Sequence, residues 1–171
     1  MSASVANIRL GQCTVTYNGQ DLGFTKGGCE VSIKNDTTEI GVDEFGSTSV
    51  RSFHRGTRIE VKATFAEYAI DTLLKIINGA QLVEGAGDPE VDAVTVGGKG
   101  GVDLVGYPLV LHPTLDGVSD DNDITIFKAV VIGQSKLPYK VDAEMTFEVT
   151  WLAILDEGKG DGDYLAEFGH T

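Results

Sequence analysis

The sequence predicts a mainly β domain, a β-sandwich or partial barrel with one flanking α-helix. Three observations carry that reading. Several short runs alternate apolar and polar residues with period two. The chain holds 22 Gly against 4 Pro, which suits strands joined by turns. Only one segment shows the 3-4 apolar spacing of a helix. At 171 residues a single domain is the default, long enough to bury a real core. With 42% hydrophobic and 23% charged residues the composition is that of an ordinary globular protein.

Taken in order, Cys13, Val15 and Tyr17 alternate with Thr14 and Thr16, which predicts a half-buried strand. Asn18-Gly19 is a hairpin signal. Cys29, Val31 and Ile33 then face one way while Glu30, Ser32 and Lys34 face the other. Ile40 and Val42 fall out of phase with that run, so a bulge or bend is expected near residues 35–38. Residues 43–61, "DEFGSTSVRSFHRGTRIEV", hold too few apolar residues between Phe45 and Phe53 to anchor the stretch to a core, and are too long for a hairpin turn. From Arg58 the alternation is clean, with Ile59, Val61, Ala63 and Phe65 inward. The helix is expected at about residues 66–78, on an apolar stripe of Ile70, Leu73, Leu74 and Ile77. Thr64 and Glu67 fit a capping box, and Gly79 stands where a C-terminal glycine belongs. A Gly-rich surface loop follows, with a short strand at 91–96. Residues 102–111 and 124–132 are apolar on both faces, as in strands buried between two layers. The longest strand is expected at 140–153. The β domain is thus expected over 1–155, followed by an acidic, Gly-rich tail at 156–171 that is mobile or docked on something else.

The net charge is -13, from 26 acidic and 13 basic residues. Capture of nucleic acid by a basic surface is therefore disfavoured, and a negative wall suits an inert conduit as well as a merely soluble protein. "MSASVANIRL" has no basic segment followed by an apolar run, and no apolar stretch approaches the roughly 20 residues of a membrane span. An intracellular setting with Cys13 and Cys29 as free, buried, inert thiols is expected, although a disulfide stays open.

No catalytic signature emerges, and no cofactor is expected. "VTVGGKGGVD" lacks the Walker spacing, because Ala93 and Gly100 occupy the required positions. "SDDND" and "DEGKGDGD" fall short of a calcium loop and read as solvated acidic turns. His54, His112 and His170 are not spaced as metal ligands, and Ser135 lacks the second glycine of a nucleophile elbow. Asp142, Glu144 and Glu148 resemble a glycosidase pair only in type, with no aromatic platform beside them.

Long strands with one polar face suit a larger closed assembly, since joining sheets edge to edge removes exposed edges. Residues 21–80 also resemble the N-terminal half of the tail tube proteins of long-tailed, siphovirus-type bacteriophages. The matching features are the "DLG-x-TKGG-x-EV" opening at Asp21 to Val31, the Asp-Glu-Phe turn, "RIEVKATFAEY" leading into a helix, and the closing "NGA". "TWLAILD" at 150–156 is similar to that family's last strand. Cys29 departs from the aliphatic expected there. The resemblance implies a tail-tube-like fold, related to the type VI secretion tube. It implies hexameric rings stacked into a virion tail tube that conducts DNA without reading its sequence. It also implies a tape measure protein, a tail terminator and baseplate or tip proteins as partners.

In that family the long loop between the second and third strands, residues 35–57 here, reaches the adjacent ring, which makes Asp43, Glu44, Phe45, Arg51, Phe53, His54 and Arg55 the inter-ring candidates. Arg51, Arg55 and Arg58 would meet acids such as Asp43 and Glu44 of a neighbour, pair within the loop, or simply stay exposed. The lumen candidates are Glu30, Lys34, Arg58, Glu60, Lys62, Asp142, Glu144 and Glu148. Acids there would keep DNA from sticking, with the cations pairing across strands and leaving the net sign open. A secretion tube and a monomeric β-sandwich binding module are the alternatives.

Overall fold

The computed structural model describes residues 11–66, 69–85, 92–114, 119–136, 144–160, 162 and 164–169. The expected architecture is present: mainly β, with one helix beside an eight-stranded antiparallel sheet that does not close into a barrel. Its strands are β1 (Cys13–Tyr17), β2 (Gln20–Asp21), β3 (Thr25–Gly41) and β4 (Ser49–Phe65), followed after the helix by β7 (Tyr107–Pro113), β8 (Ile124–Lys136), β9 (Phe147–Ala153) and β10 (Ala166–Phe168). They are ordered β2-β1-β7-β8-β9-β4-β3, with β10 pairing the start of β8. A separate hairpin joins β5 (Ala80–Val83) and β6 (Ala93–Val96).

One face of every long strand feeds a common core. Val15 and Tyr17 come from β1, Ile59 to Phe65 from β4, and Leu109 and Leu111 from β7. Ile126 and Val131 of β8 meet Phe147 to Ala153 of β9. A single sheet can enclose one core in this way only by curling strongly, the sense in which twisted sheets approach a barrel. Helix α1 (Ile70–Ile76) adds Leu73 and Ile76 to the core, and Asn78 ties its far end to β8 by donating to the Val131 carbonyl at 2.7 Å.

The helix is shorter than expected. Thr64 cannot cap it, because Thr64 still belongs to β4, opposite Glu148 of β9. The N-cap is Ala69, whose side chain makes no cap, and Glu67 lies outside the described residues. The buried positions are Thr72, Leu73 and Ile76, while Ile70 is exposed. Gly79 does take the left-handed conformation expected past a helix end, at φ +78°.

Other boundaries also shift. Residues 102–106 are not strand, and Val102 and Val105 are exposed. Of the expected strand at 140–153, residues 140–143 lie outside the described residues, 144–146 are irregular, and β9 begins at Phe147. Of the strand expected at 91–96, residue 91 lies outside the description and β6 covers the rest from Ala93. The tail is docked: Ala166 pairs with Ile126 and Phe168 with Ile124. Among the described residues no helix is long and apolar enough to cross a membrane.

Aromatic rings fill the centre. Trp151 touches Tyr17 and Phe65 at centroid separations of 6.0 and 6.1 Å, and Phe65 stacks on Phe147 at 5.2 Å. The Tyr17 hydroxyl donates to the Ala129 carbonyl at 3.1 Å. Burial, and secondarily the nearby Tyr107, pushes the Tyr17 phenol up to about 12 from an ordinary 10.0. The unfolded phenol ionises first, so the fold gains fully from neutral Tyr17 below pH 10.0 and loses that gain as pH rises to about 12. Over that window this one group should steepen the fall in stability by up to about 1.4 kcal/mol per pH unit. Denaturant melts of Tyr17→Phe should therefore decline less steeply than wild type between those two pH values. Parallel curves would show that the phenol ionises as freely in the fold as out of it.

Candidate functional site

The region expected as a loop, residues 35–57, is mostly strand. β3 and β4 pair from Thr25↔Phe65 out to Gly41↔Ser49, so only residues 42–48 form the connection. Within it a 3-10 turn, Asp43–Phe45, is closed by the Phe45 N–H on the Val42 carbonyl at 3.1 Å. Gly46 takes φ 61°, ψ -125°, a backbone conformation that a side chain would strain. The result is a long hairpin, and residues 32–55 are exposed throughout.

Its two faces exchange roles halfway out. Near the sheet, Val31↔Val61 and Ile33↔Ile59 lie on the core side. The register then shifts between Asp36 and Thr37: Asp36 opposes Gly56, Thr37 opposes His54, and Arg55 is the extra residue of a bulge. This is the bulge expected near 35–38. An extra residue reverses the alternation of β4, so Phe53 and Arg51 now face the side opposite the core-facing residues of the base. They join Thr38 and Ile40, their register partners, and the Arg51 guanidinium lies 5.0 Å from the Phe53 ring centre. The other face of the tip carries Glu39, Ser52 and His54. There Ser49 donates to Glu39, and the His54 Nε2 lies 3.3 Å from the Thr57 hydroxyl.

The tip is therefore more apolar than the sequence suggested. Phe45 is 63% exposed, Ile40 47% and Phe53 44%, and Val42 and Val50 are exposed beside them. Ile40, Val42 and Val50 were not among the candidates. The phase change at Ile40 and Val42 was the available signal, because it places apolar groups where the chain's own core cannot reach. Among the described residues neither Asp43, Glu44, Arg51 nor Arg55 makes an ion pair within the chain, so pairing inside the loop is not observed. At the base of the hairpin lies an open, mostly apolar recess of about 660 Å³, lined by Ile59, Ala153, Leu155, Tyr164 and Leu165 among others.

The lumen candidates largely share one face. In register, Glu30 opposes Lys62 and Lys34 opposes Arg58; on β4's other edge Lys62 opposes Thr150 and Thr64 opposes Glu148. Glu30, Lys34, Arg58, Glu60, Lys62 and Glu148 thus lie together on the sheet's outer surface. Glu144 stands apart in the irregular segment before β9, bound to Lys26 at 2.6 Å, and Asp142 lies outside the described residues. The assembled face is balanced rather than acidic: Glu30, Glu60 and Glu148 offset Lys34, Arg58 and Lys62. Arg58 pairs with Glu60 at 2.6 Å and Lys62 with Glu148 at 3.1 Å. The face is not polar throughout. Val130 is buried away from the core beside Leu152, and at Gly106 an added Cβ would stand 2.7 Å from Lys128 Cγ and 2.9 Å from Ile154 Cδ1.

Two further clusters lie elsewhere. His112 Nδ1 is 2.6 Å from Asp123 Oδ1 and 3.8 Å from Asp120 Oδ1, a contact across the turn that holds the "SDDND" stretch. Cys13 and Cys29, expected as buried thiols, are half-buried, and their sulfurs lie 2.8 Å apart. His170 is outside the described residues. No protein-family model matches this chain, and no curated protein matches it.

Proposed function

We propose that this chain is the structural subunit of a bacteriophage tail tube, self-assembling through its hairpin into stacked hexameric rings that pass DNA and do no chemistry. The observation that carries the reading is the hairpin. A paired ribbon whose outer half is exposed throughout, yet presents Ile40, Val42, Phe45, Val50 and Phe53, has the composition of an interface. Exposing these groups in a free monomer carries a solubility liability that a partner would remove.

The chain also holds both halves of a heterologous contact, an apolar tip and an open apolar recess at its base. Contacts between unlike surfaces generate rings or open filaments rather than closed pairs. The uncompensated Arg51, Arg55, Asp43 and Glu44 supply polar partners that fix register between subunits. The balanced outer face gives the tube wall. Arg58, Lys62 and Lys26 are already occupied by carboxylates, so they offer little to a passing phosphate backbone. Low adhesion then rests on neutralised cations rather than on an acidic wall.

Negative-stain electron microscopy of the purified protein at high concentration tests the reading. Hollow tubes or six-fold rings are expected. A sharp monomer in light scattering, with no particles under any solution condition, would overturn it.

A further inference from the structure

We propose that Cys13 and Cys29 form a reversible dithiol–disulfide site that staples the open seam of the sheet, with a low-molecular-weight disulfide as its oxidant. The seam follows from the strand order. β1 and β3 stand near opposite ends of the sheet, and among the described residues no backbone ladder joins them. Curling nevertheless brings them together. Cys13 and Cys29 pack against the same core, their sulfurs 2.8 Å apart, and the Thr25 hydroxyl donates to the Cys13 carbonyl at 3.3 Å. A disulfide requires sulfurs about 2.05 Å apart, so bonding needs a closure of under about 1 Å. Neither cysteine is a fully buried residue, which leaves the pair within reach of a small reagent.

The two thiols are not equivalent. The sulfur–sulfur hydrogen bond with Cys29 holds the Cys13 thiol below its ordinary value, against the opposing effect of burial, with the Cys29 backbone adding to the lowering. The same contact with Cys13 pushes the Cys29 thiol up, and burial pushes it further. Cys13 is thus the attacking thiolate and Cys29 the resolving thiol. The Cys13 thiolate displaces one thiolate from the small disulfide and forms a mixed disulfide. Cys29 then gives up its proton and attacks Cys13 Sγ, expelling the second thiolate. Two protein thiols are oxidised, one small disulfide is reduced to two thiols, and both protons pass to the leaving groups.

The cross-link would close a short loop of the chain and lower the entropy of the unfolded state, raising the melting temperature by about 6–12 °C. The inference does not rest on tube assembly and is tested on the full chain in whatever oligomeric state it takes. After incubation with oxidised glutathione, the wild type should lose both free thiols and two hydrogens of mass. Peptide mapping should yield a Cys13–Cys29 linked pair, and dithiothreitol should reverse both changes. Cys29→Ser should stop with one glutathione held on Cys13, while Cys13→Ser should react far more slowly. Four outcomes overturn the proposal: a wild type that keeps both thiols, one that stops at the mixed disulfide, one that links different chains instead, or one that cross-links without gaining thermal stability. Faster adduct formation on Cys13→Ser than on Cys29→Ser would overturn the assignment of the nucleophile.

Discussion

Trp151→Ala should cost the fold about 3–5 kcal/mol, the range for removing a large aromatic from a packed core. That is a large share of a total stability of about 5–15 kcal/mol, so the variant should unfold at far lower denaturant or fail to accumulate. Trp151 is fully buried at the middle of β9. It opposes Val61 of β4 on one side and Val131 of β8 on the other, and it meets the rings of Tyr17 and Phe65. Strands distant in the chain thus converge on one side chain, and alanine leaves a void among packed rings. Trp151→Phe should behave differently. The indole Nε1 is buried with no hydrogen-bond partner among the described residues. An orphaned donor of this kind costs about 1–3 kcal/mol, so losing it offsets part of the lost volume and leaves phenylalanine within about 1 kcal/mol of wild type. Urea unfolding of both variants measures this. A loss below about 1 kcal/mol for alanine would mean that the core is not organised around this ring.

The period-two strands were legible because each carries its signal locally. Ile59 to Phe65 and Phe147 to Ala153 alternate cleanly, since one face of each is buried in this chain's own core. Where the partner of a face is distant or absent, the signal weakened. The outer half of the hairpin read as a loop because the bulge at Arg55 moves its apolar groups to the opposite face. Neither Ile40 alone on β3 nor Phe53 alone on β4 makes a pattern until register brings them side by side. The capping box failed for a related reason. Thr64 and Glu67 have the right spacing, but pairing with β9 keeps Thr64 in β4, and local capping cannot compete with a ladder. Residues 102–106 are apolar enough for a strand, yet the chain there packs closely over Lys128 and Ile154 instead, where Gly106 leaves no room for a side chain. The nearness of Cys13 to Cys29 and of His112 to Asp123 depends on curvature and on a turn, so spacing along the chain carried no trace of either.

Replacing residues 37–55 with Asn-Gly should leave the domain folded and abolish assembly. The design keeps Asp36↔Gly56 as the last pair, and Asn-Gly supplies the two-residue turn that a right-twisted hairpin favours. Residues 32–55 are exposed, so their removal takes no side chain from the core, and the melting temperature should stay near that of the wild-type monomer. Association should respond quite differently, because the deletion removes the apolar tip together with the charges of Asp43, Glu44, Arg51 and Arg55. A milder change, Phe45→Asp, removes one apolar group that is 63% exposed at the end of the ribbon. Burying a phenylalanine in a partner contributes about 2 kcal/mol, so each contact should weaken about thirtyfold. The shift should appear as a higher protein concentration needed for rings or tubes, read by light scattering and electron microscopy. Arg51→Glu and Arg55→Glu separate the electrostatic part: if they meet carboxylates of a neighbour, assembly should fall and its dependence on salt should change, with no effect on the fold. A deletion variant that unfolds would show that the hairpin supports its own domain. A folded deletion variant that still forms tubes would show that assembly runs through another surface.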